Sequence, residues 1–172
     1  MHVHRFERVW LVAALSMIVL FVGTVTFGAV VAGYGMVDAE GGQVDPTDPT
    51  TSESFREPGV YNGSEAGHYD VYVETRRFAF VPGTTEPIRV PANSTVTFHV
   101  ASADVLHGFE VVGTNINTMA IPGQKAVVTA EFDKAREHGI VCNEYCGEGH
   151  HDMAGTLEVI PQSEFNASAE VQ

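Results

Sequence analysis

The stretch of sequence that decides the fold and the chemistry of this protein is CNEYCGEGHHDM, residues 142–153. It contains the two cysteines of the chain, Cys142 and Cys146, followed by His150 and Met153. Thiolate, imidazole and thioether groups together are the ligand set of copper electron-transfer sites. Because a mononuclear blue-copper site uses one cysteine, two cysteines in one loop favour two copper ions bridged by two thiolates. Such a pair shares one electron over both metals, so its geometry changes little on reduction.

Two copper ions need terminal ligands as well as bridges. His150 and Met153 lie on the same loop as the cysteines and supply one nitrogen and one weak sulfur ligand. A second histidine is expected from His107, in the run SADVLHGF, which lies far enough upstream to fold back onto the loop. The backbone oxygen of Glu144, between the cysteines, is placed to be a further ligand.

Two simpler interpretations compete with copper. Cys142 and Cys146 can form a disulfide if the domain faces an oxidising compartment, or they can bind zinc together with a histidine. Neither alternative uses Met153, which on its own would be a core residue. Its register with His150 favours copper. The other histidines are predicted to be ordinary surface, strand or loop residues: His151, His68, His99 and His138.

The pattern Cys-x-Glu-x-Cys-Gly-x-x-His-x-x-Met, preceded by Asp-Val-x-His, resembles subunit II of the haem–copper cytochrome c oxidases, which carries the binuclear copper centre called CuA. The runs at 107–109, 113–117 and 122–123 resemble the B-type branch of that family. The resemblance covers the chain from its N-terminal apolar segment to about Ile160. The copper ligands that it implies are His107, Cys142, Cys146, His150 and Met153 by side chain and Glu144 by backbone oxygen.

The resemblance also implies a cupredoxin-like Greek-key fold and a function. The chain would take electrons one at a time from a soluble donor, a cytochrome c or a small blue-copper protein. It would pass them to haem in a separate catalytic subunit I, which reduces oxygen to water and translocates protons. The chain would thus belong to an oxidoreductase without making or breaking bonds itself.

Three alternative functions are compatible with parts of the pattern. Nitrous-oxide reductase also uses CuA, but it needs a large propeller domain for which 172 residues are too few. Quinol-oxidising relatives of the same fold lose the copper ligands, which this chain keeps. A membrane-tethered cupredoxin that carries electrons freely remains open in a binuclear form.

An exposed aromatic side chain or a backbone path beside the copper is expected to accept electrons. The only tryptophan, Trp10, lies in the apolar N-terminal segment and is excluded. The candidates are Phe78 and Phe80, of which the resemblance favours Phe80. The alternative is that both side chains fill the core.

Two acidic residues have further roles by resemblance. In much of the family an acid at the position of Glu144 helps to hold magnesium at the subunit interface, although B-type members tend to have an amide there. A glutamate three residues before a tryptophan, just ahead of the membrane span, marks proton uptake in B-type oxidases. Glu7 and Trp10 have that spacing, and the simpler interpretation of Glu7 is a solvated acid.

Short alternating runs with turn signals between them, and no long helical period after residue 68, predict a mostly β sandwich or barrel. These runs are 69–73, 88–90, 95–100, 109–112, 126–132, 139–141 and 155–160. The copper loop would join the last two strands. The resulting division is a cytoplasmic N-terminus at 1–8, a transmembrane helix at 9–37, an acidic linker at 38–67 that reads as extended, the cupredoxin-like domain at 68–161 and a polar tail at 162–172.

No charged residue occurs between Val9 and Val37, and about 20 apolar residues span a bilayer. Because Arg5 and Arg8 precede this run and acids follow it, the positive-inside rule places the copper domain on the outer face of the cell membrane. The net charge is -13 and no positive patch rivals this acidity, so nothing in the sequence suggests nucleic acid as a partner. This charge favours solubility in a salt-rich medium over long-range steering of a basic donor. Asn-x-Ser/Thr sequons occur at Asn62, Asn93 and Asn166.

Overall fold

The computed structural model describes residues 4–30 and 41–166, which form an N-terminal helix and a β domain. Helix α1 spans Arg5–Val30. Its large side chains are exposed on every side, Trp10 by 73% and Leu20 by 71%, whereas a helix of a water-soluble protein buries one face. The apolar stretch Arg5–Gly28 has 24 residues, about 36 Å at 1.5 Å per residue, enough to cross the hydrocarbon core of a membrane.

The helix begins at Arg5, four residues before the predicted start at Val9. Charged residues do not end a helix, and the acid Glu7 in the first turn lies near the positive end of the helix dipole. Residues 31–40, which include the predicted end of the span, lie outside the described residues.

The β domain is a sandwich of two five-stranded sheets. The strands are β1 Gly59–Asn62, β2 His68–Arg76, β3 Ala79–Val81, β4 Ile88–Pro91, β5 Ser94–Ser102, β6 His107–Val111, β7 Asn117–Ala120, β8 Lys125–Phe132, β9 Arg136–Val141 and β10 Ala154–Ile160. One sheet has the order β1-β2-β5-β8 with β3 paired to β2, and the other has the order β4-β10-β9-β6-β7.

The core lies between the two sheets, where alternate residues of each strand point inward. Val71 and Val73 of β2 and Phe98 of β5 are fully buried and face Phe109 and Leu157 of the other sheet. Each of the seven runs predicted to be strands lies in a strand, apart from Val112, one residue beyond the end of β6. The mostly β, cupredoxin-like fold is thus confirmed. The short strands β1, β3 and β7 were not predicted.

The predicted extended linker is wrong for its described part, residues 41–67. Phe55 and Val44 are buried against Tyr72 on the outer face of the first sheet, and residues 59–62 form β1. The linker packs because the ring of Tyr72 lies on the outer face of β2 and would otherwise face water. The β domain therefore begins well before residue 68.

The strands place the copper loop at one end of the sandwich. Strand β9 ends at Val141 and β10 begins at Ala154, and these two residues are paired. The loop at 142–153 therefore joins the last two strands, as predicted. Strand β6 begins at His107 beside this loop, since Gly108 contacts Asn143.

Candidate metal centre

The two cysteines lie together as free, buried thiols. The Sγ atoms of Cys142 and Cys146 are 3.8 Å apart, and Nδ1 of His107 is 3.9 Å from Sγ of Cys142. The donor atoms of these three residues lie within 4.8 Å of one another, and they form the one such group among residues 4–30 and 41–166. At this distance the two cysteines are not joined by a disulfide bond.

The other predicted ligands surround the same sulfur pair. Nδ1 of His150 and Sδ of Met153 are each 3.7 Å from Sγ of Cys146. The backbone oxygen of Glu144 is 3.1 Å from Sγ of Cys142. Cys142 therefore faces a histidine and a backbone oxygen, and Cys146 faces a histidine and a thioether. The two thiols lie between these two pairs of donors.

His107 is held in one orientation by Asp104. The imidazole is fully buried, and its Nε2 donates to Oδ1 of Asp104 at 2.7 Å, which leaves Nδ1 as the nitrogen that faces the cysteines. Burial raises the pKa of Asp104, but hydrogen bonds from His107, Val105 and Arg77 outweigh it and hold that pKa below its usual value. The carboxylate therefore stays charged and fixes the tautomer of the ring.

Arg77 joins this carboxylate to the loop. Its backbone N–H donates to Oδ2 of Asp104 at 2.8 Å, and its Nε donates to the backbone oxygen of Cys146 at 3.2 Å. Through these two hydrogen bonds, Arg77 connects Asp104, which orients His107, to the backbone of Cys146. Sequence reasoning missed both residues, although Asp104 lies three positions before His107 in the quoted motif.

Asn143 fixes the other side of the loop. Its Nδ2 donates to Oε2 of Glu110 at 3.1 Å and to Oδ1 of Asn117 at 2.9 Å. A Cβ atom on Gly108 would lie 1.8 Å from Oδ1 of Asn143, so only glycine fits at that position. These contacts hold the loop against strands β6 and β7.

Met153 is held by the chain on both sides of it. Its backbone oxygen accepts from the N–H of Cys142 at 3.3 Å. The next residue, Ala154, accepts through its backbone oxygen from the hydroxyl of Thr84 at 2.8 Å. The thioether is 2% exposed, so it approaches the sulfur pair from the protein interior.

Phe78, rather than Phe80, lies beside the copper loop. Phe80 is 1% exposed and packs in the core against Phe109, with ring centroids 5.7 Å apart. The expectation that Phe80 is exposed is therefore wrong, because β3 turns its side chain inward. Phe78 lies in the turn before β3, is partly exposed, and contacts Gly147 and Gly149.

Burial shapes the chemistry of the thiols. Burial raises the pKa of Cys146 to about 11, and the hydrogen bond with the Cys142 thiol and its charge add to the effect. A metal-free site thus retains a proton on this sulfur at neutral pH. A metal cation that binds here displaces that proton.

The remaining predicted residues lie elsewhere or at the edge of the site. Glu7 is exposed in the first turn of α1, and the side chain of Glu144 is partly exposed. His151 is exposed beside Asp152, as predicted. The other three histidines are strand residues, also as predicted: His68, His99 and His138.

The donor set fits copper better than zinc. Two thiolates, two imidazole nitrogens, a thioether and a carbonyl oxygen converge on one small volume. Structural zinc takes four nitrogen or sulfur ligands and has no use for a thioether, whereas a weak axial methionine is characteristic of copper electron-transfer sites. The fold and these donors define a cupredoxin-like domain with a candidate metal site.

Comparison with known proteins gives the family. Residues 73–160 match the profile of the family described as cytochrome c oxidase subunit II, periplasmic domain. A cytochrome c oxidase subunit 2 from Thermus thermophilus is 35% identical over 160 residues, which cover 90% of this chain and 91% of that protein. A second subunit 2 from Thermus thermophilus is 39% identical over 120 residues, 68% of this chain and 85% of that protein. This chain belongs to the cytochrome c oxidase subunit II family.

Solved structures agree. A chain of a haem–copper terminal oxidase dimer determined by cryo-electron microscopy superposes with a TM-score of 0.71 at 30% identity, covering 90% of this chain and 99% of that one. The periplasmic domain of subunit II of cytochrome oxidase from Bradyrhizobium japonicum superposes with a TM-score of 0.53 at 21% identity. The match covers 58% of this chain and 88% of that domain, and it shows that the two share a fold. With helix α1, the family makes this a membrane-anchored subunit of an oxidoreductase complex.

Proposed function

We propose that this chain receives electrons for a haem–copper terminal oxidase at a CuA centre of two copper ions. The observation that carries the proposal is the pair of buried thiols 3.8 Å apart, flanked on each side by a histidine. When bound, the two copper ions would supply a site that gains and loses one electron with little change in geometry. The holding residues would be His107, Cys142, Glu144, Cys146, His150 and Met153.

The protein contributes rigidity and exclusion of water. Asp104 fixes the ring of His107, Arg77 holds the carbonyl of Cys146, and Asn143 ties the loop to β6 and β7. Because these contacts fix the side chains from outside the sulfur pair, the ligands would need little rearrangement when the site is filled or reduced. Low reorganisation is the property that favours rapid electron transfer.

Electrons from a soluble donor, a cytochrome c or a blue-copper protein, would arrive through Phe78. Its ring is partly exposed and contacts Gly149, the residue before the ligand His150. Phe80 does not meet the requirement for exposure. The electrons would leave for haem in subunit I, where oxygen is reduced to water and protons are translocated.

The domain would lie on the outer face of the cell membrane, with Glu7 at the cytoplasmic surface, where it would collect protons for the catalytic subunit. Turnover of an oxidase with Glu7→Gln tests this: slower oxygen reduction with normal copper reduction supports it, and wild-type turnover contradicts it.

Glu144 would also offer a carboxylate to magnesium at the subunit interface. Loss of a manganese magnetic signal in Glu144→Gln would support that role, and absence of any such signal in the parent protein would oppose it.

The central test is the metal content of the oxidase. We expect two copper ions in this subunit, a purple colour and a paramagnetic signal from one electron shared by two nuclei. Cys142→Ser should abolish the shared signal. A matched control is His151→Gln, which removes an exposed imidazole next to a ligand and should leave the signal intact. A blue single-copper spectrum, or zinc in place of copper, would contradict the proposal.

A further inference from the structure

Two of the three Asn-x-Ser/Thr sequons, together with the residue before the third, lie at one end of the β domain although they are far apart in the sequence. Strand β1 ends at Asn62, which pairs with Tyr69 of β2. The backbone N–H of Thr95, in the second sequon, donates to the oxygen of Gly67 at 2.9 Å. Phe165, the residue before the third sequon, packs against Tyr69 with ring centroids 5.3 Å apart.

This end is opposite the copper loop. Strand β2 runs for nine residues from His68, beside the sequons, to Arg76. The next residue, Arg77, contacts the copper loop through Cys146. At about 3.3 Å per residue, the two ends are separated by about 25 Å. A large group attached at the sequons would leave the copper loop and Phe78 uncovered.

The acceptor side chains are available at this end. Asn62 and Ser64, the first and third residues of one sequon, are both exposed, and so is Asn93 of the second. The asparagines beside the copper loop lack the pattern, since neither Asn143 nor Asn117 has a serine or threonine two residues later. Their side chains also hydrogen-bond to each other.

We propose that Asn62 and Asn93 are N-glycosylation sites, so that the end of the domain opposite the copper loop is covered by glycans. The proposal rests on the outward orientation of the proposed function, because N-linked glycans are added on the outer side of the membrane. Exposed asparagines in Asn-x-Ser/Thr are the acceptors of this modification. Ser168 of the third sequon lies outside the described residues, so Asn166 is not included.

The reaction needs a glycosyl donor, which is an oligosaccharide joined through phosphate to a membrane lipid. An oligosaccharyltransferase would join Nδ2 of Asn62 to C1 of the first sugar. The bond between C1 and the phosphate oxygen breaks, and the lipid phosphate leaves with the electron pair. The amide nitrogen loses one proton to a base of the transferase, and no oxidant or reductant is consumed.

The test uses the assembled oxidase purified from its native membrane. Mass spectrometry of the tryptic peptide 57–76 should show a glycan on Asn62, and the peptide that contains Asn93 should be modified as well. Asn62→Gln and Ser64→Ala should each remove the glycan of the first peptide. Ser64→Thr, which keeps the hydroxyl, should retain it. Because both positions are exposed, these changes should leave the fold intact.

The absorption of the copper centre is recorded on the same sample, so that two failures can be told apart. An unmodified Asn62 in an oxidase with an intact copper signal would overturn the glycosylation proposal alone. A glycosylated chain without a binuclear copper signal would overturn the proposed function and keep the glycosylation site. Loss of the glycan in Ser64→Thr as well as in Ser64→Ala would also count against recognition of the sequon.

Discussion

The ring of Phe78 packs directly on Gly149. A Cβ atom built on Gly149 would lie 2.6 Å from Cδ2 of Phe78, closer than any real contact of that kind. The φ angle of Gly149 is -92°, which other residues adopt readily, so the backbone itself does not require glycine. Glycine is needed because the aromatic ring occupies the space of a side chain, immediately before the proposed ligand His150.

Gly149→Ala should therefore displace Phe78. Overpacking of this kind typically costs about 1–3 kcal/mol, and the ring is free to move outward because it is partly exposed. We expect a lower free energy of unfolding in urea and a slower reduction of the copper centre by its donor. Gly139→Ala is the control, since its Cβ would meet Val112 at an ordinary 3.8 Å. Equal effects of the two changes would argue against a specific contact.

Substitutions of Phe78 and Phe80 should have different effects, the first on electron acceptance from the donor and the second on the stability of the fold. Phe78→Ala removes the partly exposed ring, so donor oxidation should slow by about tenfold or more, equivalent to ~1.4 kcal/mol of activation free energy, with copper retained. Phe80→Ala creates a cavity in the core and should cost about 3–5 kcal/mol of folding free energy. Stopped-flow reduction and urea unfolding measure the two effects. Unchanged donor oxidation in Phe78→Ala would remove it from the electron path.

Copper uptake by the metal-free protein should depend on pH. Because the pKa of Cys146 is raised to about 11, its sulfur is protonated at neutral pH and must lose that proton to bind metal. Apparent copper affinity should rise with pH, by about tenfold per pH unit for each proton released. Copper titrations in weak buffer with a pH indicator measure the affinity and the protons together. Uptake without proton release would show that the thiol is already ionised.

The strands and the donor cluster on the loop at 142–153 were predictable because their signals are local. Alternation over four to nine residues identifies a strand, and spacing within one loop identifies the cysteines, His150 and Met153. Phe78 and Phe80 could not be distinguished this way. Both have the same parity in an alternating run, and only the turn between β2 and β3 takes Phe78 out of that pattern and places it on the copper loop.

The packed linker was missed for a related reason. The segment around Phe55 has the composition of an extended chain, and its burial depends on an aromatic residue of a distant strand, Tyr72. Likewise the link from Arg77 to Cys146 joins residues that are 69 positions apart. Such contacts follow from sheet order, which the alternation of single strands does not determine.

Phe55 provides a direct test of the packed linker. It is 2% exposed and contacts Tyr72 edge to face at 5.3 Å. Phe55→Ala should lower the free energy of unfolding by about 3–5 kcal/mol, as for other buried phenylalanines. Glu53→Ala, an exposed neighbour, should stay within about 0.5 kcal/mol of the parent protein. If urea unfolding gives the same midpoint for both variants, the linker does not pack on the sheet in solution.

The charge state of His99 should affect the stability of the fold at acid pH. The ring stacks on Tyr72 at 4.4 Å, and its Nε2 donates to Oδ1 of Asp70 at 3.0 Å. Burial lowers the pKa of His99; the hydrogen bond to Asp70 opposes this, and the charges of Lys125 and Arg56 add to the lowering. The unfolded chain therefore binds a proton more readily than the folded one.

It follows that the stability contributed by neutral His99 is fully present above the ordinary histidine pKa of about 6.5 and is lost as the pH falls below it. His99→Gln keeps an amide nitrogen for Asp70 but has no group that titrates in this range. Its melting temperature should fall less than that of the parent protein between about pH 7 and pH 5. His151→Gln, at a position with a 76% exposed side chain, should follow the parent curve. Parallel curves for all three proteins would show that His99 does not control the acid sensitivity of the fold.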